Sequence, residues 1–305
     1  MTRRFLQHTD RSARYCIGQF LGQVAMRAVF LTLLLGILIS GSPVQGAVKP
    51  QKVSFLSKDK TSVVGYFYQP EGSGSFPVII ALHGCGGLFQ GETGEILLPE
   101  REDWLQRFLD AGYAVLFPDS HGARGHRSIC EISWKDRPVK LVDQVADLVG
   151  AINWVADLSV ADRANVGLVG WGTGATVALR VLDARFSQAS GADARVVIAF
   201  YPICDWVIRF NNSKPRLLPS ILIGAADDLN PAAPCEALAE MWGSPIELYE
   251  GAYHSFDSPN KPVRVLRYGN KKAHNGTNEA AREKAIKYVM QLLADSFAEA
   301  GQPKQ

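Results

Sequence analysis

The 305-residue sequence predicts an α/β protein with a mostly parallel central sheet and helices on both faces. Three observations predict it. Apolar runs of strand length alternate with segments of helical spacing from about residue 50 to residue 296. The inner runs "FPVIIALHG", "YAVLFPDS", "NVGLVG" and "PSILIGAADD" are apolar at consecutive positions, the pattern of strands covered on both faces. Two of these runs pass directly into glycine-rich turns, "HGCGG" and "GWGTG".

In chain order, "KVSFLS" and "VVGYFYQ" read as two strands of a hairpin or meander. "FPVIIALHG" follows as a buried strand, then "REDWLQRFLDAG" as a helix with a glycine stop, then the strand "YAVLFPDS". "DRPVKLVDQVADLVGAINWVAD" reads as a long amphipathic helix with Pro138 in its first turn, where proline is tolerated. The strand "NVGLVG" leads into the helix "TGATVALRVLDAR", and "RVVIAFYP" and "PSILIGAADD" add two strands. "CEALAEMWG" is a helix, "PIELYEG" a strand, and "NEAAREKAIKYVMQLLADSFAEA" a C-terminal helix.

Composition narrows the class. With 47% hydrophobic and 20% charged residues, the chain is an ordinary globular one. Its 32 basic and 30 acidic residues offer no case for nucleic-acid binding. Residues 1–47 stand apart. Arg3, Arg4, Arg11, Arg14 and Arg27 face a single acid, Asp10, and precede the apolar run "AVFLTLLLGILIS" and the small-residue stretch "GSPVQGA". That order reads as a cleaved secretory signal peptide, with Met1 or Met26 as the start, ahead of one domain over 48–305. The apolar run falls short of the ~18–20 residues that span a bilayer, so no stable membrane insertion is expected after cleavage. The expected location is periplasmic or secreted. Beyond Cys16 in the leader, Cys85, Cys130, Cys204 and Cys235 form an even set, which in an exported chain suggests disulfides; the three possible pairings stay open.

In a parallel sheet the ligand site lies at the carboxyl ends of the strands, so the strand-end loops carry the functional reading. "GWGTG", Gly170 to Gly174, follows a strand and opens a helix. A Gly-x-Ser-x-Gly in that setting lifts a nucleophile above the sheet edge, but here the centre is Gly172. Asp227 follows the strand "LIGA", with Asp228 beside it, and His254 follows "ELYE" in "EGAYHSFDSP". Elbow, acid and histidine then occur in the order of a hydrolytic triad, with His254 as base and Asp227 holding its tautomer. "HGCGG" can place the Cys85 N–H opposite the Thr173 N–H as an oxyanion hole. His83 in the same loop is assigned to substrate. So is Arg124, which can meet a substrate carboxylate bidentately. His121, His126 and Cys130 lack the tight spacing of a metal site, and no metal is expected. Asn211 and Asn275 open glycosylation sequons.

"ALHGCGGLF", "AGYAVLFPDSHGARG", "NVGLVGWGTGAT", "LIGAADDLNPAAPCEAL" and "YEGAYHSFDSP" together resemble the dienelactone hydrolase family of α/β-hydrolases, over about residues 50–296. The resemblance implies an α/β-hydrolase fold and hydrolysis of a small-molecule ester or lactone through an acyl-enzyme, without a cofactor. It places Asp227 and His254 at the acid and base, Cys85 and Thr173 at the oxyanion hole, and Gly172 at the nucleophile. Relatives carry Ser or Cys there. The expectation is therefore a hydrolase that is slow or catalytically degenerate, with water as a candidate attacker. The alternative is a non-catalytic protein that binds an ester, a lactone or a protein partner in the same pocket.

Overall fold

The computed structural model describes residues 49–91, 94–182, 194–210 and 213–298. The leader expected over 1–47, the choice between Met1 and Met26, and the Asn211 sequon lie outside the described residues. The strands are β1 (Gln51–Leu56), β2 (Ser62–Tyr68), β3 (Phe76–Leu82), β4 (Phe89–Gln90), β5 (Ile96–Leu97), β6 (Ala114–Pro118), β7 (Ala161–Trp171), β8 (Val196–Phe200), β9 (Ser220–Gly224), β10 (Ile246–Tyr249), β11 (Arg264–Tyr268) and β12 (Lys271–Asn275). The helices are α1 (Pro99–Asp110), α2 (Leu141–Asp157), α3 (Thr173–Val181), α4 (Cys204–Phe210), α5 (Ala232–Trp242) and α6 (Glu279–Ala298).

Eight strands form one sheet in the order β1-β2-β6-β3-β7-β8-β9-β10. From β6 to β10 every neighbouring pair is parallel, while β1 and β2 add antiparallel strands at one edge. Successive side chains on a strand point to opposite faces, so each inner strand supplies two cores. Val78, Ile80, Leu82, Leu116, Val166 and Leu168 join Leu148, Ile152 and Val155 of α2 and Val177 and Val181 of α3 in one cluster. The alternate residues meet α1 and α6. A Cβ on Gly167 would touch Ile79 and Phe297, and the Trp104 ring lies 5.3 Å from that of Phe200.

Two disulfides settle the pairing, Cys85–Cys130 and Cys204–Cys235. The first ties the loop after β3 to the segment after β6. No described helix is long and apolar enough to cross a membrane.

Three local expectations change. Pro138 is not in the first turn of α2, which begins at Leu141. The Lys140 N–H donates to Asp143 Oδ2 at 2.7 Å, which caps the helix there and leaves Pro138 in a preceding bend. Helix α4 and the β11–β12 hairpin, which turns at Gly269-Asn270, were not expected. The Asn275 sequon is buried at 2% exposure, and its amide donates to Ser255 Oγ and Tyr268 OH. It is a packing residue in the folded chain, not a glycan acceptor.

Candidate active site

The turn from β7 into α3 is built for close approach. A Cβ on Gly174 would lie 2.1 Å from the Leu82 carbonyl oxygen, and one on Gly170 2.5 Å from the Gly174 backbone. Only glycine lets α3 start hard against β3. Between them, Gly172 sits at φ 55 and ψ −113, a backbone region that side chains occupy only under strain. A Cβ there would meet one group within 4 Å, His254 Nε2 at 3.8 Å. The elbow is aimed at the histidine and has room for a side chain.

His254 is 7% exposed and Asp227 4%. His254 Nδ1 lies 2.8 Å from Asp227 Oδ2. A carboxylate only accepts, so Nδ1 donates and the Nε2 lone pair faces the elbow. Asp227 Oδ1 accepts from the Leu229 and Asn230 N–H groups, both at 2.9 Å, which fixes the carboxylate plane. Asp228 next door takes a separate role. It accepts from the His274 N–H and pairs with His274 Nδ1, both at 2.8 Å. Sequence order alone did not separate these two acids.

The unexpected hairpin holds the histidine turn. The Gly276 N–H donates to the His254 carbonyl at 3.0 Å, and Asn275 clamps Ser255, whose φ is 58. The Tyr201 ring packs 4.4 Å from the His254 ring, centroid to centroid.

Beneath the elbow lies a residue that no motif signalled. Asp257 is fully buried and accepts from Trp171 Nε1 at 2.8 Å, Trp104 Nε1 at 2.9 Å and the Tyr201 hydroxyl at 2.8 Å. Burial raises its pKa, opposed by these three donors. Trp171 precedes Gly172 and Tyr201 flanks His254, so one carboxylate ties together the supports of both. Arg101, also unsignalled, is 3% exposed and lies 4.7 Å over the Trp171 ring, with Glu100 Oε1 3.7 Å from its Nη1.

The Thr173 N–H is the first of α3, so it has no acceptor inside its own helix. Cys85, Thr173, Gly172 and His254 all line one cleft of about 1430 Å³. The two residues assigned to substrate do not line it. Arg124 forms a bidentate pair with the buried Asp147, at 2.8 and 3.1 Å, and its pKa is raised by that carboxylate against the cost of burial. The partner lies on α2, 23 residues away, and takes the fork that a substrate was expected to take. His83 is 3% exposed and donates from Nδ1 to the Gly84 carbonyl at 2.9 Å. Its ring packs 4.4 Å from that of His121. Desolvation lowers the His83 pKa to about 4 and the His121 pKa to about 3, the latter helped by its neighbour, so both rings are neutral core groups. Cys130 is spent in its disulfide and has no thiolate for a metal.

Comparison with known proteins agrees with this frame. A family model described as the dienelactone hydrolase family matches residues 63–297. Among solved structures, a protein of Klebsiella pneumoniae subsp. pneumoniae MGH 78578 assigned as a dienelactone hydrolase superposes with a TM-score of 0.56 at 14% identity, over 80% of this chain and 99% of that one. Esterase Est2 of Thermogutta terrifontis, with propionate bound, gives 0.56 at 19% identity, over 84% and 97%. Puromycin hydrolase gives 0.58 at 15% identity over 82% of this chain, which spans 40% of that protein's length. At these identities the superpositions bear on the fold. No curated protein matches the chain.

Proposed function

The chain belongs to the dienelactone hydrolase family, and from that premise we propose that it is an exported ester or lactone hydrolase, slowed because its elbow has no attacking side chain. The observation that carries the reading is the aim of Gly172, whose missing Cβ would point at the free nitrogen of an Asp227-bound His254. A framework that merely resembled a hydrolase by fold would not need that alignment.

In the proposed reaction a water beside Gly172 gives its proton to His254 Nε2 as its oxygen bonds to the acyl carbon. The carbonyl electrons move to oxygen, and the N–H groups of Cys85 and Thr173 stabilise that charge. The tetrahedral adduct then collapses, the C–O bond to the alcohol breaks, and the alkoxide takes the proton back from His254. Asp227 keeps the ring in the tautomer that can accept. A site without its nucleophile retains roughly 10³–10⁴-fold acceleration over water. Two disulfides in a chain of this size agree with an oxidising, exported setting.

Hydrolysis of p-nitrophenyl acetate by the native chain, beside His254→Ala, tests the reading. The oxyanion donors and binding survive His254→Ala, so turnover there is expected to fall by roughly 10²-fold or more, the share of general-base catalysis. Turnover equal to that of the native chain sinks the mechanism. The second reading, binding of an ester or lactone without turnover, is favoured by Gly172 itself; it wins if the native chain binds substrate and releases no product.

A further inference from the structure

We propose that the cleft above the elbow is a binding site for an extended polycarboxylate chain, the chemistry of an acidic oligosaccharide, and that the scissile ester is carried on such a chain. The second clause rests on the hydrolase reading; the first does not.

Charge is segregated on this molecule. Of 32 basic and 30 acidic residues, five and one lie in the first 48 positions, which leaves 27 basic and 29 acidic residues from Lys49 on. That part of the chain is net acidic. Its cleft is the opposite. Arg101 and Glu100 in its lining pair with each other, and Arg127, Arg137, Arg209, Lys261, Arg267 and Lys271 line it against two further acids, Glu131 and Asp205. None of the six cations is in an ion pair among the described residues. They come from separate segments: the stretch between β6 and α2, the end of α4, the turn after His254, and the β11–β12 hairpin. The fold thus gathers around one opening an excess of charge that it lacks elsewhere. Walls of one sign focus the field in a cleft and raise the local concentration of ligands of opposite sign.

Three of the guanidinium groups are already oriented. Arg127 Nη1 donates to the Gly91 carbonyl, Arg137 Nε to Ile132 and Arg267 Nε to Gly269. Each spends one N–H on a loop and keeps the rest of its fork for an acceptor, the geometry that suits carboxylates.

Size and lining point to a chain and not to a single small acid. The volume of about 1430 Å³ exceeds the ~300–1,000 Å³ that holds one small molecule. Indole faces are set among the cations. Trp134 is 44% exposed with Arg137 4.8 Å over its ring, and Trp206 lines the same wall. Spaced carboxylates joined by rings with apolar faces complement that alternation better than the continuous phosphates of a nucleic acid do.

The test is calorimetric titration of the protein with hexameric oligogalacturonate at low salt. Monomeric galacturonate and a single-stranded DNA oligomer serve as comparisons. The hexamer is expected to bind at least ~10-fold more tightly than the monomer, because several subsites are engaged at once, and to weaken as salt rises. Arg267→Glu with Lys271→Glu is expected to cost ~10-fold or more. Arg137→Glu with Arg209→Glu reports the same cleft should the hairpin pair misfold. Lys284→Glu with Lys287→Glu, an equal charge change on exposed α6 positions away from the cleft, is expected to leave binding unchanged. Equal affinity for monomer and hexamer, a preference for the DNA oligomer, or an equal loss in the α6 control overturns the site. In a separate arm, the native chain and Gly172→Ser are offered partially methyl-esterified oligogalacturonate. Binding with no methanol release by either chain overturns the ester clause alone, whereas failure of all ester turnover with any substrate overturns the hydrolase reading.

Discussion

Gly172→Ser supplies a hydroxyl at the centre of the elbow with a single substitution, and the structure sets its magnitude. The Cβ would lie 3.8 Å from His254 Nε2, so a hydroxyl one bond further reaches the ~2.6–3.2 Å window of a nucleophile–base hydrogen bond. Apart from Gly172, the adjacent Trp171 and Thr173, and His254 itself, no described residue has an atom within 4 Å of that Cβ, so no packed neighbour has to move. Losing the attacking side chain of a triad costs up to ~10⁶-fold in kcat, and a serine set on a backbone that carries glycine here supplies part of this. An increase of roughly 10³-fold or more is expected, with a burst of p-nitrophenol as the acyl-enzyme accumulates. The same substitution places a side chain at φ 55 and ψ −113, a region that costs ~1–3 kcal/mol. At about 2–4 °C per kcal/mol for a domain of this size, the Tm should fall by roughly 2–12 °C. Burst kinetics and thermal unfolding on one preparation therefore read two opposed effects of one oxygen. A variant with native circular dichroism but turnover within ~10-fold of the parent would falsify the elbow assignment.

Other outcomes follow from the same geometry. His83 and His121 have native pKa values lowered to about 4 and about 3, against ~6.5 in an unfolded chain. Below pH ~6.5 the unfolded state takes up protons that the native state refuses, so stability is full above that pH and is lost as pH falls toward 4 and then 3, by up to ~1.4 kcal/mol per pH unit for each ring. Urea unfolding between pH 7 and pH 4 measures that slope, and His121→Gln should remove about half of it. Asp257→Asn turns an amide N–H toward one of three buried donors and should cost ~2–4 kcal/mol in the same assay; a loss under ~1 kcal/mol contradicts the hub. Cys204→Ser with Cys235→Ser should cost ~3–4 kcal/mol of stability and leave kcat alone. In the Gly172→Ser background, Cys85→Ala with Cys130→Ala should also lower kcat by ~10²-fold through a displaced oxyanion donor; kcat unchanged there would show that the bridge does not position the loop.

The sheet was legible because its signals are local. Runs such as "PVIIAL" and "AVLFP" are short, apolar throughout and bounded by glycine and proline, which reads as strands covered on both faces, and their ends directed the reading to the strand-end loops. Gly172, Asp227 and His254 could be read because their order and their places after strands agree; in the structure Gly172 and His254 line one cleft, with Asp227 buried behind the histidine. What sequence missed depends on partners far along the chain. Arg124 meets Asp147 and Asp257 meets Trp104 and Trp171 only after folding. The β11–β12 hairpin was missed because most of its side chains are exposed on both faces, which leaves no apolar alternation to detect. Its Gly269-Asn270 turn was the one available signal. Helix α4, at seven residues, is shorter than the window over which helical period can be recognised.

His254 and Asp257 lie within four residues of each other, yet one faces the elbow and the other grips Trp171, the residue before Gly172. The histidine and the elbow are therefore tied to the same short piece of chain, His254 by covalent connection and Trp171 by its hydrogen bond to Asp257. A displacement of that turn, by heat or by a ligand pressing on the cleft, pulls Trp171 along with it. The two move in common mode, and the distance between them changes less than the position of either. Such error cancellation protects the Gly172–His254 separation at the loop end of the sheet without requiring the whole end to be rigid.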